Sequence, residues 1–366
     1  MSNIKIKTLT PVHIGNGTEL QGNFEYLHFK DENKIALVDS DKVLDILGAE
    51  NLHQWMSCIE KKESLLKLLQ TRRPSLKAAD VSSRIITVNT GTKEKPIKEN
   101  IRSISGVLIP GSSLKGAFRT TVFAEQIIEN AGFAKDQRNL GNFDQRGGFR
   151  FSDGPLNKIF FGNDPNHDIF RLLQVGDAVF NSTEVFKTEV VNQYRDARNN
   201  PFWKLKTELE QYVEAIPEKS ETTLQIRFNE SLNKLAVNNF NNNTPKLELP
   251  NLFPIVNQQT RRLVDDEINY WTGDPNNPEV LGNYIEALEN IRNTIDTSNA
   301  NECVLRVGWG SGFRSMTGDW HGAMSDDDFS RLIKSLRPRH PESLLYPKTT
   351  RFIAGGKPLG FIKLSF

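Results

Sequence analysis

Residues 109–119 read IPGSSLKGAFR, and this stretch decides the fold because it predicts a turn followed by a helix that packs on a sheet. Ser112 and Ser113 are residue types that cap helix N-termini, so we expect one of them to be the N-cap. The first backbone N–H groups of a helix lack partners within it, and the helix dipole places partial positive charge there. The stretch therefore predicts a helix start that binds an anion such as phosphate.

The predicted helix has a cationic face and an apolar face. Lys115 and Arg119 are four residues apart and share one face with Gln126. Gly116 disfavours a helix interior by about 1 kcal/mol relative to Ala, so its place in the first turn indicates that something approaches the backbone closely. The stretch does not have the spacing of a P-loop. The alternative to an anion-binding helix start is an ordinary capped helix with a solvated basic face. The face expected to pack on the sheet carries Ala117, Thr120, Phe123, Ala124, Ile127 and Ile128.

Length and composition predict two domains with real hydrophobic cores. The chain has 366 residues, of which 37% are hydrophobic. No run approaches the roughly 18 apolar residues of a membrane span, and no signal peptide is recognisable, so we expect a cytoplasmic protein that does not contact membranes. Cys58 and Cys303 lie far apart, which excludes a zinc site built from cysteines.

Charge is nearly balanced overall but unevenly distributed. The formal net charge is +1, so the net charge by itself does not indicate a nucleic-acid-binding protein. Residues 331–366 hold eight Lys or Arg against one acidic residue, whereas residues 261–302 hold nine acidic residues against three Arg. This distribution favours a subunit that holds a polyanion on one side and faces basic neighbours on another.

Sequence patterns predict further elements and a first site candidate. Residues 4–9 alternate apolar and polar side chains, which predicts a half-buried strand, and His13 follows that strand. Side chains at strand ends often meet ligands, so His13 is a candidate site residue. We also expect a helical tract at 40–69, strands at 172–180 and 185–194, a helical section at about 229–297, and a closing hairpin of 349–353 with 359–366.

A second informative stretch reads GWGSGFRSMTG at residues 308–318. Its alternating glycines, Gly308, Gly310 and Gly312, leave backbone N–H groups unobstructed and predict an anion-binding nest. Trp309 and Phe313 are candidates for stacking on bases, and Arg314 is a candidate for pairing with phosphate. The G-x-G-x-x-G spacing is absent, so a dinucleotide site is not indicated.

Together, TPVHIG at residues 10–15, residues 109–119 and residues 308–318 resemble the RAMP superfamily of CRISPR proteins. The likeness extends over the whole chain, and IPGSSLKGAFR is its most specific part. Within the superfamily, the chain is most similar to the subunit of type III-A (Csm) effector complexes that caps the 3′ end of the guide RNA (crRNA). The backbone and 5′-end subunits of the superfamily are the alternatives.

The resemblance implies an α+β fold of two ferredoxin-like (RRM-related) domains with helical insertions, at residues 1–180 and 181–366. It implies a ribonucleoprotein that assists crRNA maturation and complex assembly in antiviral defence. The partners it implies are crRNA and other Csm subunits, especially a neighbouring RAMP backbone subunit, with host nucleases as further candidates. It implies phosphate contacts from Ser112, Ser113, Lys115 and Arg119 and places the loop at 308–318 along the RNA, with no metal or cofactor.

Two other classes of function stay open. A guide-processing endoribonuclease needs a base for the 2′-OH proton and an acid for the leaving oxygen, roles that His13 and Lys115 offer. His321 is a weaker alternative to His13, and Asp319 with residues 326–328 offers carboxylates for a metal. A His at a strand end is more often structural, so we expect a non-catalytic protein in which His13 contacts RNA. A protein scaffold that docks neighbours through its acidic helical section is the other alternative.

Overall fold

The computed structural model describes residues 2–89, 92, 94–143, 149–198, 200–229, 232, 247–272, 279–336 and 349–366. Part of the helical section expected at 229–297, the Asn-rich run at 238–243 within it, and much of the basic C-terminal stretch lie outside these residues. Within the described ranges, none of the helices combines the length and apolar character needed to cross a membrane.

The described residues form strands and helices that alternate along the chain. The strands are β1 Ser2–Thr8, β2 Gly15–Leu20, β3 Tyr26–Phe29, β4 Lys34–Leu37, β5 Ile85–Val88, β6 Ile97–Asn100, β7 Arg102–Ser103, β8 Gly106–Ile109, β9 Gly141–Phe143, β10 Phe149–Phe151, β11 Leu173–Val175, β12 Ala178–Phe180, β13 Glu184–Arg195, β14 Pro201–Leu205, β15 Gln211–Ala215, β16 Glu221–Phe228, β17 Glu302–Arg306, β18 Thr349–Ile353 and β19 Phe361–Ser365. The helices are α1 Ser40–Leu47, α2 Leu52–Glu60, α3 Leu65–Arg72, α4 Ala78–Val81, α5 Gly111–Glu129, α6 Gly132–Lys135, α7 Gly154–Phe161, α8 Leu249–Thr272, α9 Glu279–Asp296, α10 Gly312–Thr317 and α11 Asp326–Leu336.

The first sheet has the order β11-β16-β1-β19-β17, and all of its neighbouring strands are antiparallel. The alternating sequence of β1 buries Ile4 and Ile6 on one face while Lys5 lies exposed. Ile4 pairs with Leu224 of β16, and Ile6 pairs with Leu364 of β19. Helices α5 and α8 contribute to the same hydrophobic core. The first and last strands of the chain are therefore neighbours at the centre of this sheet.

The second sheet is built around β13, which is 12 residues long. Its order is β2-β6-β15-β13-β5-β4-β3, and β14 and β18 also pair with β13. Helices α1 to α4 pack on β3 and β4 through a core of their own. Helices α8 and α9 pack on β14 and β18 through a cluster that includes Trp203, Trp271 and Phe352.

The predicted α+β class is confirmed, and β1, α8, α9 and the helices over 40–69 lie where their patterns predicted. The strand predicted at 172–180 is instead two strands, β11 and β12. β11 belongs to the first sheet, whereas β12 belongs to a separate sheet of order β12-β8-β7. Both large sheets take strands from either side of residue 180. The division into 1–180 and 181–366 stays a prediction, as does the ferredoxin-like arrangement of each part.

The closing hairpin predicted at the C-terminus is wrong. β18 pairs with β13 in the second sheet, whereas β19 pairs with β1 and β17 in the first. Between them, Gly355, Gly356 and Gly360 have positive φ, and the backbone of Val307 leaves no room for a Cβ at Gly360. These glycines let the chain cross from one sheet to the other, a path that their sequence alone does not distinguish from a hairpin turn.

Candidate nucleic-acid interface

Helix α5 begins at Gly111, so neither Ser112 nor Ser113 is its N-cap, contrary to the sequence prediction. Pro110 precedes the helix in extended conformation, and the Gly111 N–H donates to Asp177 Oδ1 at 2.7 Å. Asp177 lies in the turn between β11 and β12. The chain's own carboxylate thus takes the place at the helix end where we expected a bound anion. Ser112 and Ser113 are left on the side of the first turn, where both are accessible.

The face of α5 that packs in the sheet core agrees in part with the prediction. It carries Leu114, Phe118 and Val122, each 0% exposed. Of the residues expected there, Phe123, Ala124 and Ile127 are buried in the same core. Phe123 also meets Trp320 with 6.0 Å between ring centroids, and Gln126, expected on the solvated face, is buried. Residues 121–127 are buried all round because other elements pack on the helix there. The first part of α5 is open to a ligand.

Lys115 lies in this open part as a half-buried cation. Among the described residues it has no hydrogen bond or ion pair to its side chain. Burial lowers the pKa of Lys115, and Arg119 lowers it further, while Asp168 raises it. A partly desolvated cation without a partner gains from an incoming anion, because a charge-assisted hydrogen bond then compensates its burial.

Arg119, one turn further along α5, is already paired. Its Nη1 donates to both carboxylate oxygens of Asp168 at 2.6 and 2.8 Å, and its Nη2 donates to Asn157 Oδ1 at 3.2 Å. The guanidinium also lies 4.3 Å from the centroid of the Phe161 ring. These contacts fasten α5 to α7 and to the turn before β11. A phosphate contact by Arg119 stays a prediction, and the phosphate would share the guanidinium with Asp168.

The three alternating glycines have φ values of +83°, +81° and +81° at Gly308, Gly310 and Gly312. Two of them serve contacts inside the protein, because a Cβ at Gly308 would meet the carbonyl oxygen of His13 and one at Gly310 would meet Leu359. Gly312 faces open space. The nest predicted from all three glycines is therefore reduced to the turn at Gly312.

Gly312 begins α10, which contacts α5. Ser315 of α10 lines a small pocket together with Ala117, and Gly318 lies against Thr120 and Ala124. At Gly116, a Cβ would meet no atom of the described chain within 4 Å. We give the name α5–α10 strip to the accessible residues Ser112, Ser113, Lys115 and Gly116 of α5 together with Gly312 at the start of the neighbouring α10.

His13 is packed inside the protein, only 1% exposed, and it contacts the glycine-rich stretch. Its Nδ1 donates to the backbone carbonyl of Glu214 at 2.7 Å, and burial lowers the pKa of His13. The backbone N–H of Trp309 donates to the backbone carbonyl of His13 at 2.9 Å. The rings of the two residues meet edge to face, with 5.6 Å between their centroids. The Arg351 guanidinium lies 5.0 Å from the Trp309 ring. The structure thus joins two of the three landmarks, through contacts that hold the fold.

A buried carboxylate that sequence reasoning missed organises the surroundings of His13. Glu214 is 0% exposed, and its carboxylate accepts from Arg84 at 2.8 Å, Arg102 at 3.3 Å and Thr183 at 2.6 Å. A charge in this position is stable only when it is paired and hydrogen-bonded. The only signal for Glu214 in the sequence is that one Glu stands in the otherwise apolar end of β15. That signal does not reveal which residues pair with its carboxylate.

Phe313 and Arg314 also have partners inside the protein. The Phe313 ring stacks on His321 with 5.1 Å between centroids and 29° between planes. Arg314 Nη1 lies 3.5 Å from Asp319 Oδ2, and burial raises the pKa of Asp319 while Arg314 opposes that shift. Base stacking by Phe313 and phosphate pairing by Arg314 stay predictions.

A cavity of about 370 Å³ opens beside Arg119, between α5, the start of α7 and the segment after α10. His321 in its wall is 7% exposed, stacks on Trp320 at 4.3 Å, and its Nδ1 has no hydrogen-bond partner within the described residues. Burial lowers the pKa of His321 to about 4. Sequence reasoning did not connect Arg119 with the other lining residues, which include Phe123, Phe151, Asp153, Asn157, Thr317 and Trp320.

The sequence model of the RAMP superfamily matches residues 5–315. The chain belongs to the RAMP superfamily. The matched residues span the His13 turn, the whole of α5 and the glycine-rich stretch as far as Ser315. A comparison of this RAMP protein with curated proteins gives no match.

Two solved structures resemble this RAMP protein over nearly its full length. A chain in the cryo-EM structure of a Csm-crRNA-target RNA ternary complex of a type III-A CRISPR-Cas system is 21% identical, with a TM-score of 0.75 and 100% of each chain covered. The crystal structure of Csm5 from T. onnurineus is 20% identical, with a TM-score of 0.66, and the match covers 98% of this chain and 99% of that one. At these identities, the likeness shows a shared fold.

Proposed function

We propose that this RAMP protein is a crRNA-binding subunit of a type III-A effector complex, which caps the 3′ end of crRNA and holds the RNA without cutting it. The observation that carries the proposal is the α5–α10 strip, where two accessible hydroxyl side chains, a cation without a hydrogen bond or ion pair in the described chain, and two unobstructed glycines lie on two helices in contact. Hydroxyl and ammonium groups are common donors to phosphate oxygens. The strip therefore suits an RNA backbone.

Contacts of this kind bind RNA without reading its sequence. Gly116 and Gly312 carry no side chain that would keep a ribose-phosphate backbone away from the protein backbone. Ser112 and Ser113 offer hydroxyl donors, and Lys115 offers charge. Recognition of base edges needs a more specific array of side chains, so affinity at the strip is expected to be similar for different sequences.

The place that we propose for this protein in the effector complex rests on two findings: its membership of the RAMP superfamily, and its full-length fold similarity to a chain of a Csm complex and to Csm5. These relatives favour crRNA, other Csm subunits and a neighbouring RAMP backbone subunit as partners. A subunit that covers the 3′ end also limits where a nuclease can reach. We therefore propose that it assists crRNA maturation by defining the trimmed end or by recruiting a host nuclease.

The variant Lys115→Ala tests the strip. We expect weaker binding of single-stranded RNA of any sequence, because one phosphate contact is lost. The slope of log affinity against log salt concentration should become shallower by about 0.7, the value for one contact on a single strand. Filter binding of labelled crRNA across a salt series measures both quantities.

Lys61→Ala is the matched control, because Lys61 is an exposed lysine at the end of α2, away from the strip. It should leave affinity and salt slope unchanged. If Lys115→Ala behaves like Lys61→Ala, the strip does not bind the RNA backbone. Thermal unfolding of each variant checks that the fold is intact.

The endoribonuclease alternative is less favoured because His13 is 1% exposed and its Nδ1 is engaged with the Glu214 carbonyl. In the described part of the chain, no three His, Cys, Asp or Glu residues are grouped to hold a metal ion. Incubation of labelled guide precursor with the purified protein, with and without Mg²⁺, should leave the RNA intact. Defined cleavage that His13→Ala abolishes would overturn the proposal of a non-catalytic subunit.

A further inference from the structure

The cavity beside Arg119 lies next to the α5–α10 strip. Lys115 belongs to the strip, and Arg119, four residues later on α5, lines the cavity. Four residues of a helix rise about 6 Å, so a nucleotide held at Lys115 lies within reach of the cavity mouth. A volume of about 370 Å³ falls in the range of cavities that hold small ligands.

The walls of the cavity provide surface for a flat aromatic group. Phe123, Phe151 and Trp320 line it. Trp320 is 6% exposed, stacks on His321 and meets Phe123 edge to face, so its ring is fixed before any ligand arrives. A fixed aromatic wall favours stacking, because little side-chain freedom is lost on binding.

The polar groups of the cavity select a base over a phosphate. Arg119 is shared between Asp168 and Asn157, so its charge is already compensated. The Asp153 carboxylate is exposed at the start of α7 and accepts no hydrogen bond from the described residues. A carboxylate repels phosphate, and it accepts hydrogen bonds from the amino group of a base.

We infer that this cavity takes one unstacked nucleobase of the bound RNA and prefers a base with an exocyclic amino group, namely adenine, cytosine or guanine, over uracil. The aromatic wall formed by Phe123, Phe151 and Trp320 packs against the base, and Asp153 accepts from its amino group. This inference rests on the proposed function, since it requires RNA on the α5–α10 strip.

A scan with abasic RNA tests the inference. Each oligonucleotide of a set carries one abasic nucleotide at a different position, and its affinity for the full-length protein is measured by fluorescence anisotropy. We expect one position at which loss of the base weakens binding about 10-fold, in line with the stacking energy of a single base. At that position, adenine, cytosine and guanine should bind more tightly than uracil.

The variant Asp153→Asn should reduce the preference over uracil to less than twofold and leave the affinity for the abasic RNA unchanged. Asp31→Asn, a change of an exposed carboxylate in the turn between β3 and β4, is the control and should keep the preference. Thermal unfolding confirms that both variants fold.

The outcomes separate this inference from the proposed function. Equal binding of all abasic oligonucleotides, with Lys115-dependent affinity retained, overturns the base cavity and leaves the RNA-holding function standing. An Asp153→Asn effect of equal size on intact and abasic RNA also overturns the base contact. Binding that is insensitive to Lys115→Ala overturns the proposed function itself.

Discussion

Lys115 and Arg119 carry the same formal charge on neighbouring turns of α5, but burial and pairing give them different roles. Arg119 contacts Asp168, Asn157 and Phe161, so its removal would leave a partly buried carboxylate without its partner. Lys115 has no such partner in the described chain. An effect of Lys115→Ala on RNA binding can therefore be read without an accompanying loss of structure, whereas Arg119→Ala would combine the two.

The buried His321 predicts a pH-dependent stability. Its pKa is about 4 in the folded protein because of burial, against 6.5 for an ordinary His. Protons bind more readily to the unfolded chain, so the stability due to neutral His321 is complete above pH 6.5 and is lost as the pH falls toward 4. The loss amounts to about 3 kcal/mol in the free energy of unfolding.

Urea unfolding of the wild type and His321→Phe between pH 7 and pH 4 measures this effect. Phe keeps a ring between Phe313 and Trp320 but does not titrate, so the variant should lose less stability on acidification than the wild type. Parallel losses in the two proteins would show that His321 is protonated equally in the folded and unfolded states. The pKa of His13 is also lowered, and its contribution cancels because it is present in both proteins.

At the scale of elements, the start of α5 is set by segments far away in sequence. Asp177, 66 residues after Gly111, caps the helix, and the backbone of β11 packs directly on Gly111. One of the free N–H groups at the helix start is thereby satisfied within the chain. What stays open is the side of the first turn, where α10 approaches and Gly116 lies without a neighbour.

Gly116→Ala should raise stability and lower RNA affinity. Ala is favoured over Gly in a helix by about 1 kcal/mol, and the added Cβ meets no atom of the described chain. The same Cβ would stand between the helix backbone and a bound ribose-phosphate. Urea unfolding and RNA filter binding measure the two effects.

Gly282→Ala is the matched control, because Gly282 is an exposed glycine in α9 whose Cβ would also meet open space. It should raise stability by a similar amount without changing RNA affinity. Equal RNA affinity of the Gly116→Ala variant and the wild type would contradict a close approach of RNA at this glycine.

Local patterns predicted the elements well because strand alternation and helix periodicity are properties of neighbouring residues. The strand at 4–9 and the helices α8 and α9 are examples. The cap by Asp177, the pairing of β1 with β19 and the network of Glu214 depend on residues far apart in sequence, and no local signal carries them. For the same reason, the stretch at 109–119 was recognised as important, while its N-cap was assigned wrongly and the buried face of its helix was assigned only in part.

At the scale of the whole molecule, the candidate site depends on the interleaving of distant segments. The first sheet places β1 beside β19 and β17, and the glycine-rich stretch follows directly after β17. Helix α5 packs in the core of this sheet and runs beside α10. The α5–α10 strip thus joins residues about 200 positions apart, and it exists only in the complete fold.

Crosslinking of the bound RNA to the protein tests most directly whether the α5–α10 strip holds the RNA. Full-length protein is bound to crRNA that carries 4-thiouridine, irradiated and digested, and the crosslinked peptides are identified by mass spectrometry. We expect crosslinks to peptides that contain residues 112–116 and 312–317. Crosslinks confined to α1–α4 or to α9, with none at these two segments, would contradict the claim that the α5–α10 strip holds the RNA.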